Sequence, residues 1–170
     1  MKLIISSLAD APTVVRVAKP SHLITLLGHD SIDDAPKFAD AQRHLKVLVH
    51  DINEPGEGLI HPTEAMIEDI LAFGRTWNGE APMLVHCWAG VSRSSAAAFM
   101  LACARCPETD EQAIAQRLRK VSRAATPNAL MVALADDLLC RGGRMVDAVR
   151  AIGVGDYMHP NPPYELPARF

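Results

Sequence analysis

A single α/β domain, with a short, mainly parallel central sheet flanked by helices, is the fold class this chain predicts. Three observations carry it. The 170 residues suit one compact domain, at roughly 100–200 residues each. Short apolar segments rich in β-branched residues recur, each bounded by turn residues. Stretches with apolar residues at helical spacing lie between and after them. A composition of 49% hydrophobic and 22% charged residues excludes disordered and collagen-like chains.

The elements follow in order. Strands are expected at 2–6, at 23–27 closed by Gly28, at 45–49 and at 83–85 running into His86. The apolar runs at 45–49 and 83–85 read as buried on both faces, as parallel strands are. Residues 28–44 are polar and aperiodic and read as a surface loop holding at most one helical turn. Pro62 suits a first helical turn, and Met66, Ile70, Phe73 and Trp77 then follow at spacings of four, three and four. Ser94 opens a run so rich in alanine that the helix over 94–105 must be buried nearly all round. Thr109 and Gln112 form a capping box ahead of Ile114, Leu118 and Val121. Thr126 and Pro127 start a helix that carries Leu130, Leu134 and Leu138 and stops at Gly142 and Gly143. A last short helix covers 145–152. This division gives a domain over 1–155 and an extended tail over 156–170, which holds four of the twelve prolines and both tyrosines.

Charge and cysteine usage exclude several classes. A net charge of −3 offers no basic footprint for nucleic acid. Four cysteines, at 87, 103, 106 and 140, are too few for a secreted disulfide scaffold. The N-terminus reaches Asp10 before a signal-peptide core forms, and the longest apolar run, 96–104, is far short of the ~20 residues that span a bilayer. A cytoplasmic protein is expected, with neither a nucleic acid nor a membrane as partner. The oligomeric state is not legible.

The chemistry concentrates in His86-Cys87-Trp88-Ala89-Gly90-Val91-Ser92-Arg93-Ser94. Strand, tight glycine-containing turn and buried helix form a geometry that aims successive backbone N–H groups at one anion. The helix N-terminus adds its own donors. Such a nest favours a phosphate and equally favours a thiolate, so Cys87 is the expected nucleophile. Arg93 can hold two phosphoryl oxygens in its planar fork. The N–H groups of Trp88, Ala89, Gly90, Val91, Ser92 and Arg93 complete the phosphate site. Ser94 can donate to the sulfur, making it a better leaving group, and His86 can orient the loop through backbone carbonyls. Gly90 stands where a side chain would block the phosphate or where φ is positive.

This stretch resembles the H-C-x-x-G-x-x-R-[ST] signature of the cysteine-dependent protein tyrosine phosphatase superfamily, and its A-G-x-S-R-S character is similar to the compact dual-specificity and bacterial branches. The resemblance extends over 1–155. It implies a metal-independent hydrolase that forms a phosphocysteine and acts on phosphotyrosine, with phosphoserine and phosphothreonine also within reach. The substrate is a phosphorylated protein or a small phosphate ester, and no cofactor is required.

Expelling an alkoxide or phenoxide needs a general acid. Parallel strands put the ends of 45–49 and 83–86 on one sheet edge, where such sites are built. Asp51 follows the first and Cys87 the second. The resemblance implies an acid on a mobile loop some thirty-odd residues before the cysteine, and Asp51 lies 36 before it. Glu54 and Glu57 are alternatives on the same loop, to which Gly56 and Gly58 lend flexibility.

Other residues read more plainly. Cys103 and Cys106 are structural, because Cys103 lies about 15 Å along the helix from the loop. The histidines at 22, 29, 44, 50, 61, 86 and 159 show no metal-ligand spacing. Asp30, Asp33 and Asp34 are a solvated surface or the mouth of the site. Trp88 faces the substrate or packs beneath the loop, and the tail either docks a partner or packs on its own domain. Two rival functions stay open: a phosphopeptide-binding pseudophosphatase, and sulfur or arsenate chemistry on a Cys-x5-Arg loop.

Overall fold

The computed structural model describes residues 1–33, 35, 43–158 and 160–169. Five strands form one sheet: β1 (Lys2–Ser6), β2 (His22–Leu27), β3 (Arg43–Leu48), β4 (Met83–His86) and β5 (Tyr164–Pro167), in the order β3-β2-β4-β1-β5. The first four are parallel and β5 runs antiparallel to β1. Every residue of β2 and β4 is buried, the two-sided burial that central parallel strands show.

The helices are α1 (Ala11–Ala18), α2 (His29–Ile32), α3 (Glu64–Thr76), α4 (Arg93–Arg105), α5 (Glu111–Val121), α6 (Ala129–Leu138) and α7 (Arg144–Ile152). Alternate strand residues divide them between two faces. Leu3, Ile5, Ile24, Leu26, Met83 and Val85 share a core with α3 to α7. Ile4, Leu23 and Leu84 pack under α1, through Ala11, Val14 and Val15. Helix α4 is buried continuously from Arg93 to Cys103 and touches α3, α5, α6, β1, β4 and β5. Its alanines let those neighbours approach from all sides.

Several element ends differ from expectation. Pro62 precedes the cap of α3, which is Thr63, whose hydroxyl accepts from the Met66 N–H. Asp110 rather than Thr109 caps α5, accepting from Gln112 N–H. Asn128 caps α6, two residues beyond the expected start, because Thr126 and Pro127 are taken up by the turn that buttresses the 87–93 loop. Helix α6 stops at Leu138, and Cys140, with φ of 53°, begins the turn into α7. Asp136 fixes that turn by accepting from the Gly143 and Met145 N–H groups at 2.6 and 2.7 Å. Among its described residues, the expected loop at 28–44 contains one helical turn, α2, and β3 begins at Arg43. Helix α1 was not expected at all.

The tail packs on its own domain, with Tyr164 opposite Ile5 and Leu166 opposite Leu3. Asp34 and His159, each given a reading above, lie outside the described residues, as does the last residue of the tail, Phe170. Among the described residues, no helix is long and apolar enough to cross a membrane.

Candidate active site

Strand β4 delivers Cys87 to the sheet edge, and α4 starts six residues later with Arg93. Cys87 is 2% exposed, and its sulfur lies 3.1 Å from the hydroxyl of Ser94. Arg93 is also buried. Its Nη1 donates to the Val49 carbonyl at 2.8 Å, while its buried Nε has no partner among the described residues. A buried, unpartnered guanidinium N–H is costly unless an acceptor is meant to arrive.

The loop between them has its carbonyls turned outward. Trp88 O accepts from Leu8 N–H at 3.1 Å, and Val91 O from Thr126 N–H at 3.0 Å. Ser95 Oγ adds a bond to Val91 O and another to Ser92 O. Gly90 O accepts from Tyr164 Oη and from Asn161 Nδ2, both at 3.2 Å. Among the described residues, no N–H from Trp88 to Ser92 donates to another backbone group. Gly90 makes the fold possible in two ways. Its φ is 73°, and a Cβ there would stand 2.8 Å from the carbonyl carbon of Ser6.

His86 is fully buried behind the loop, its Nε2 2.7 Å from Thr25 Oγ1. Thr25 Oγ1 also lies 2.8 Å from His44 Nε2. Burial, with His44 beside it, holds the His86 ring down at about 4, against a hydrogen bond to the Cys87 backbone that raises it. Burial, and then Lys46, holds His44 down at about 4 as well. Both rings are therefore neutral at pH 7.

Asp51 comes to the same edge from the end of β3. Its Oδ1 accepts from Ser92 Oγ at 2.7 Å and from Asn128 Nδ2 at 3.0 Å. Asn128 Nδ2 also reaches Ile52 O, and Asn53 Oδ1 accepts from Leu130 N–H. The segment 51–53 is thus tied to the start of α6, and Gly56 and Gly58 lie beyond these ties. Glu54 and Glu57 are exposed, with no hydrogen bond or ion pair to the loop among the described residues.

A cavity of about 300 Å³ is lined by Gly28, Asp30, Ser31, His50, Asp51, Trp88 and Arg93. Asp30 therefore belongs to the mouth of the site. Trp88 is 61% exposed, so it faces outward and does not pack beneath the loop. On its other side it meets Leu8 and Ala9 around a second, mostly apolar cavity of about 340 Å³.

The other cysteines stand apart. Cys103 is buried, and burial pushes its thiol well above the usual range. Cys106 is half-buried, and Cys140 is exposed. Asn128, Tyr164, Asn161 and Thr25 escaped the sequence reading. Asn128 had a local signal, as an asparagine ahead of a helix, but that signal speaks of a cap and not of Asp51.

No family model and no curated protein matches the chain. Its fold is nonetheless that of solved phosphatases. It is similar to the dual-specificity phosphatase DUSP15 with a TM-score of 0.64 and 19% identity, over 88% of this chain and 89% of that one. Human DUSP28 gives 0.60 and 18%, over 88% and 94%. The human tyrosine phosphatase-like serine/threonine/tyrosine-interacting protein gives 0.63 and 17%, over 82% and 92%. The chain has the α/β fold of the compact dual-specificity phosphatases.

Proposed function

We propose that the protein is a cysteine-dependent phosphatase that hydrolyses phosphate monoesters through a phosphocysteine. The observation that carries this reading is Arg93, held by Val49 O with a buried Nε left for an incoming oxygen, beside a loop in which, among the described residues, no N–H from Trp88 to Ser92 has a backbone acceptor. Cys87 Sγ attacks phosphorus, and the P–O bond to the leaving group breaks. Asp51 protonates that oxygen, then takes a proton from the water that attacks the phosphocysteine. Ser94 donates to the sulfur as the S–P bond breaks, and phosphate departs. The nucleophile is sulfur and the charge is met by Arg93 and N–H groups, so the scheme calls for no metal.

Substrate choice follows from the rim. Trp88 and the apolar notch with Leu8 favour an aryl phosphate such as phosphotyrosine, and the open mouth also admits phosphoserine or phosphothreonine. The loop interior 88–92 carries no lysine or arginine, so a substrate with several phosphates would find little counter-charge there. A reduced cytoplasmic setting suits the Cys87 thiolate.

Rapid quench with labelled phosphotyrosine and phosphothreonine peptides tests the scheme. Label should map to Cys87. Binding of both peptides without label would point to a pseudophosphatase, and sulfur transfer from thiosulfate would point to the sulfur chemistry instead.

A further inference from the structure

The outward carbonyls of the loop have holders from four parts of the chain, and two of those holders come from the tail. Asn161 Nδ2 donates to Ala89 O at 3.4 Å and to Gly90 O at 3.2 Å, and Tyr164 Oη donates to Gly90 O at 3.2 Å. The amide of Asn161 is itself oriented, because Ser122 Oγ donates to its Oδ1 at 2.9 Å. Ser122 Oγ is fixed in turn by the N–H of Ala125 at 3.1 Å. Tyr164 is buried, and burial pushes its phenol above the usual range, so it is a neutral donor throughout the working pH range.

A trans peptide unit points its carbonyl and its following N–H in opposite directions. Holding Ala89 O outward therefore aims the Gly90 N–H inward, and holding Gly90 O outward aims the Val91 N–H inward. Gly90 is the residue where this control is needed most. Its missing side chain permits the close approach to Ser6, and equally permits the flanking peptide planes to flip. Among the described residues, no hydrogen bond from within the loop itself opposes that flip.

We infer that Asn161 and Tyr164 form a clamp that presets the 87–93 loop, acting as positioning residues for the N–H groups of Gly90 and Val91. The inference rests on the proposed phosphate-binding role of that loop. It gives the 156–170 segment a part in substrate binding, although the chemistry lies wholly outside it. Strand β5 places the clamp: Tyr164 pairs with Ile5 on β1, and β1 lies beside β4, which leads directly into Cys87.

The test measures the affinity of the full chain for inorganic phosphate, well below its melting temperature, together with KM, kcat and Tm. Tyr164→Phe keeps the ring in the core and deletes one hydroxyl. Asn161→Leu keeps the approximate shape and deletes the amide without adding charge. Tyr164→Phe, which removes one hydrogen bond, should weaken phosphate binding about three- to tenfold, Asn161→Leu, which removes two, should weaken it at least as much, and KM should rise in step. A purely structural role would lower Tm and leave phosphate affinity of the folded protein unchanged, and affinities within twofold of wild type would overturn the clamp. If Tyr164→Phe does not fold, Asn161→Leu, at a half-buried position, carries the test. Failure of the wild-type chain to bind phosphate would remove the loop's proposed role, and the clamp with it. Binding by wild type and both variants alike removes the clamp only.

Discussion

Asn128 donates its side-chain amide to the carboxylate of Asp51 at 3.0 Å while its own carbonyl oxygen caps α6 by accepting from Met131 N–H. One residue thus fixes both a helix start and the proposed general acid. Asn128→Asp keeps the cap and sets a second carboxylate against Asp51. Like charge disfavours ionisation, so the alkaline limb of the pH–rate profile should move to higher pH, while Tm falls because the donor bonds to Asp51 and Ile52 O are lost. Asp51→Asn should abolish that limb and slow phenyl phosphate by about 10²–10⁴-fold, the usual worth of a general acid. An unchanged limb in both variants would remove Asp51 from its role and return attention to Glu54 and Glu57.

Ser94 sits 3.1 Å from the Cys87 sulfur and is expected to act when the S–P bond breaks. In Ser94→Ala the second step should become limiting. Rapid mixing with p-nitrophenyl phosphate would then show a burst of about one equivalent of nitrophenol, followed by a turnover slowed about tenfold or more. Linear release without a burst, at wild-type rate, would assign Ser94 to packing.

Acid should destabilise the chain in a defined window. His86 and His44 are held at about 4 in the folded protein, against 6.5 when free. Between those values the unfolded chain binds protons that the folded chain does not, so stability falls as pH drops from about 6.5 towards 4. His86 alone should account for about 2–3 kcal/mol between pH 7 and 4.5. Urea midpoints across that range measure it, and His86→Gln should flatten the curve. A flat wild-type curve would contradict the neutral, buried ring.

Trp88 lines both the cavity shared with Asp51 and Arg93 and the notch beside Leu8. Trp88→Ala should raise KM for aryl phosphates about two- to tenfold, in line with the worth of an aromatic pair. KM for phosphoserine peptides should stay put. An equal effect on both would mean that Trp88 shapes the loop rather than the substrate preference.

The site and the sheet were legible to different degrees, for physical reasons. The strands β1, β2 and β4 and the helix α4 announce themselves through local apolar runs, because two-sided burial leaves room for few polar residues, such as Thr25 and His86, which bond each other. Cys87, Arg93, Ser94 and Gly90 are fixed by spacing within one turn, so nine letters suffice. Helix α1 was missed because Val14, Val15 and Val17 are poor helix formers. Its formation depends on Ala11, Val14 and Val15 finding Leu23 and Leu84, which no local pattern reveals. Strand β5 looked merely extended, since its pairing partner Leu3 lies on the first strand. The tie between Asp51 and Asn128 spans 77 positions, and neither residue hints at the other.

The holders of Trp88 O and Gly90 O, Leu8 and Tyr164, stand near opposite ends of the sequence. Bringing such distant segments together is the slow, late part of assembling a fold. The 87–93 loop is local in sequence, yet its geometry is a property of the whole chain. On refolding from denaturant, catalytic competence should return with the slowest global phase rather than with helix formation, and turnover then serves as a clock for completed folding.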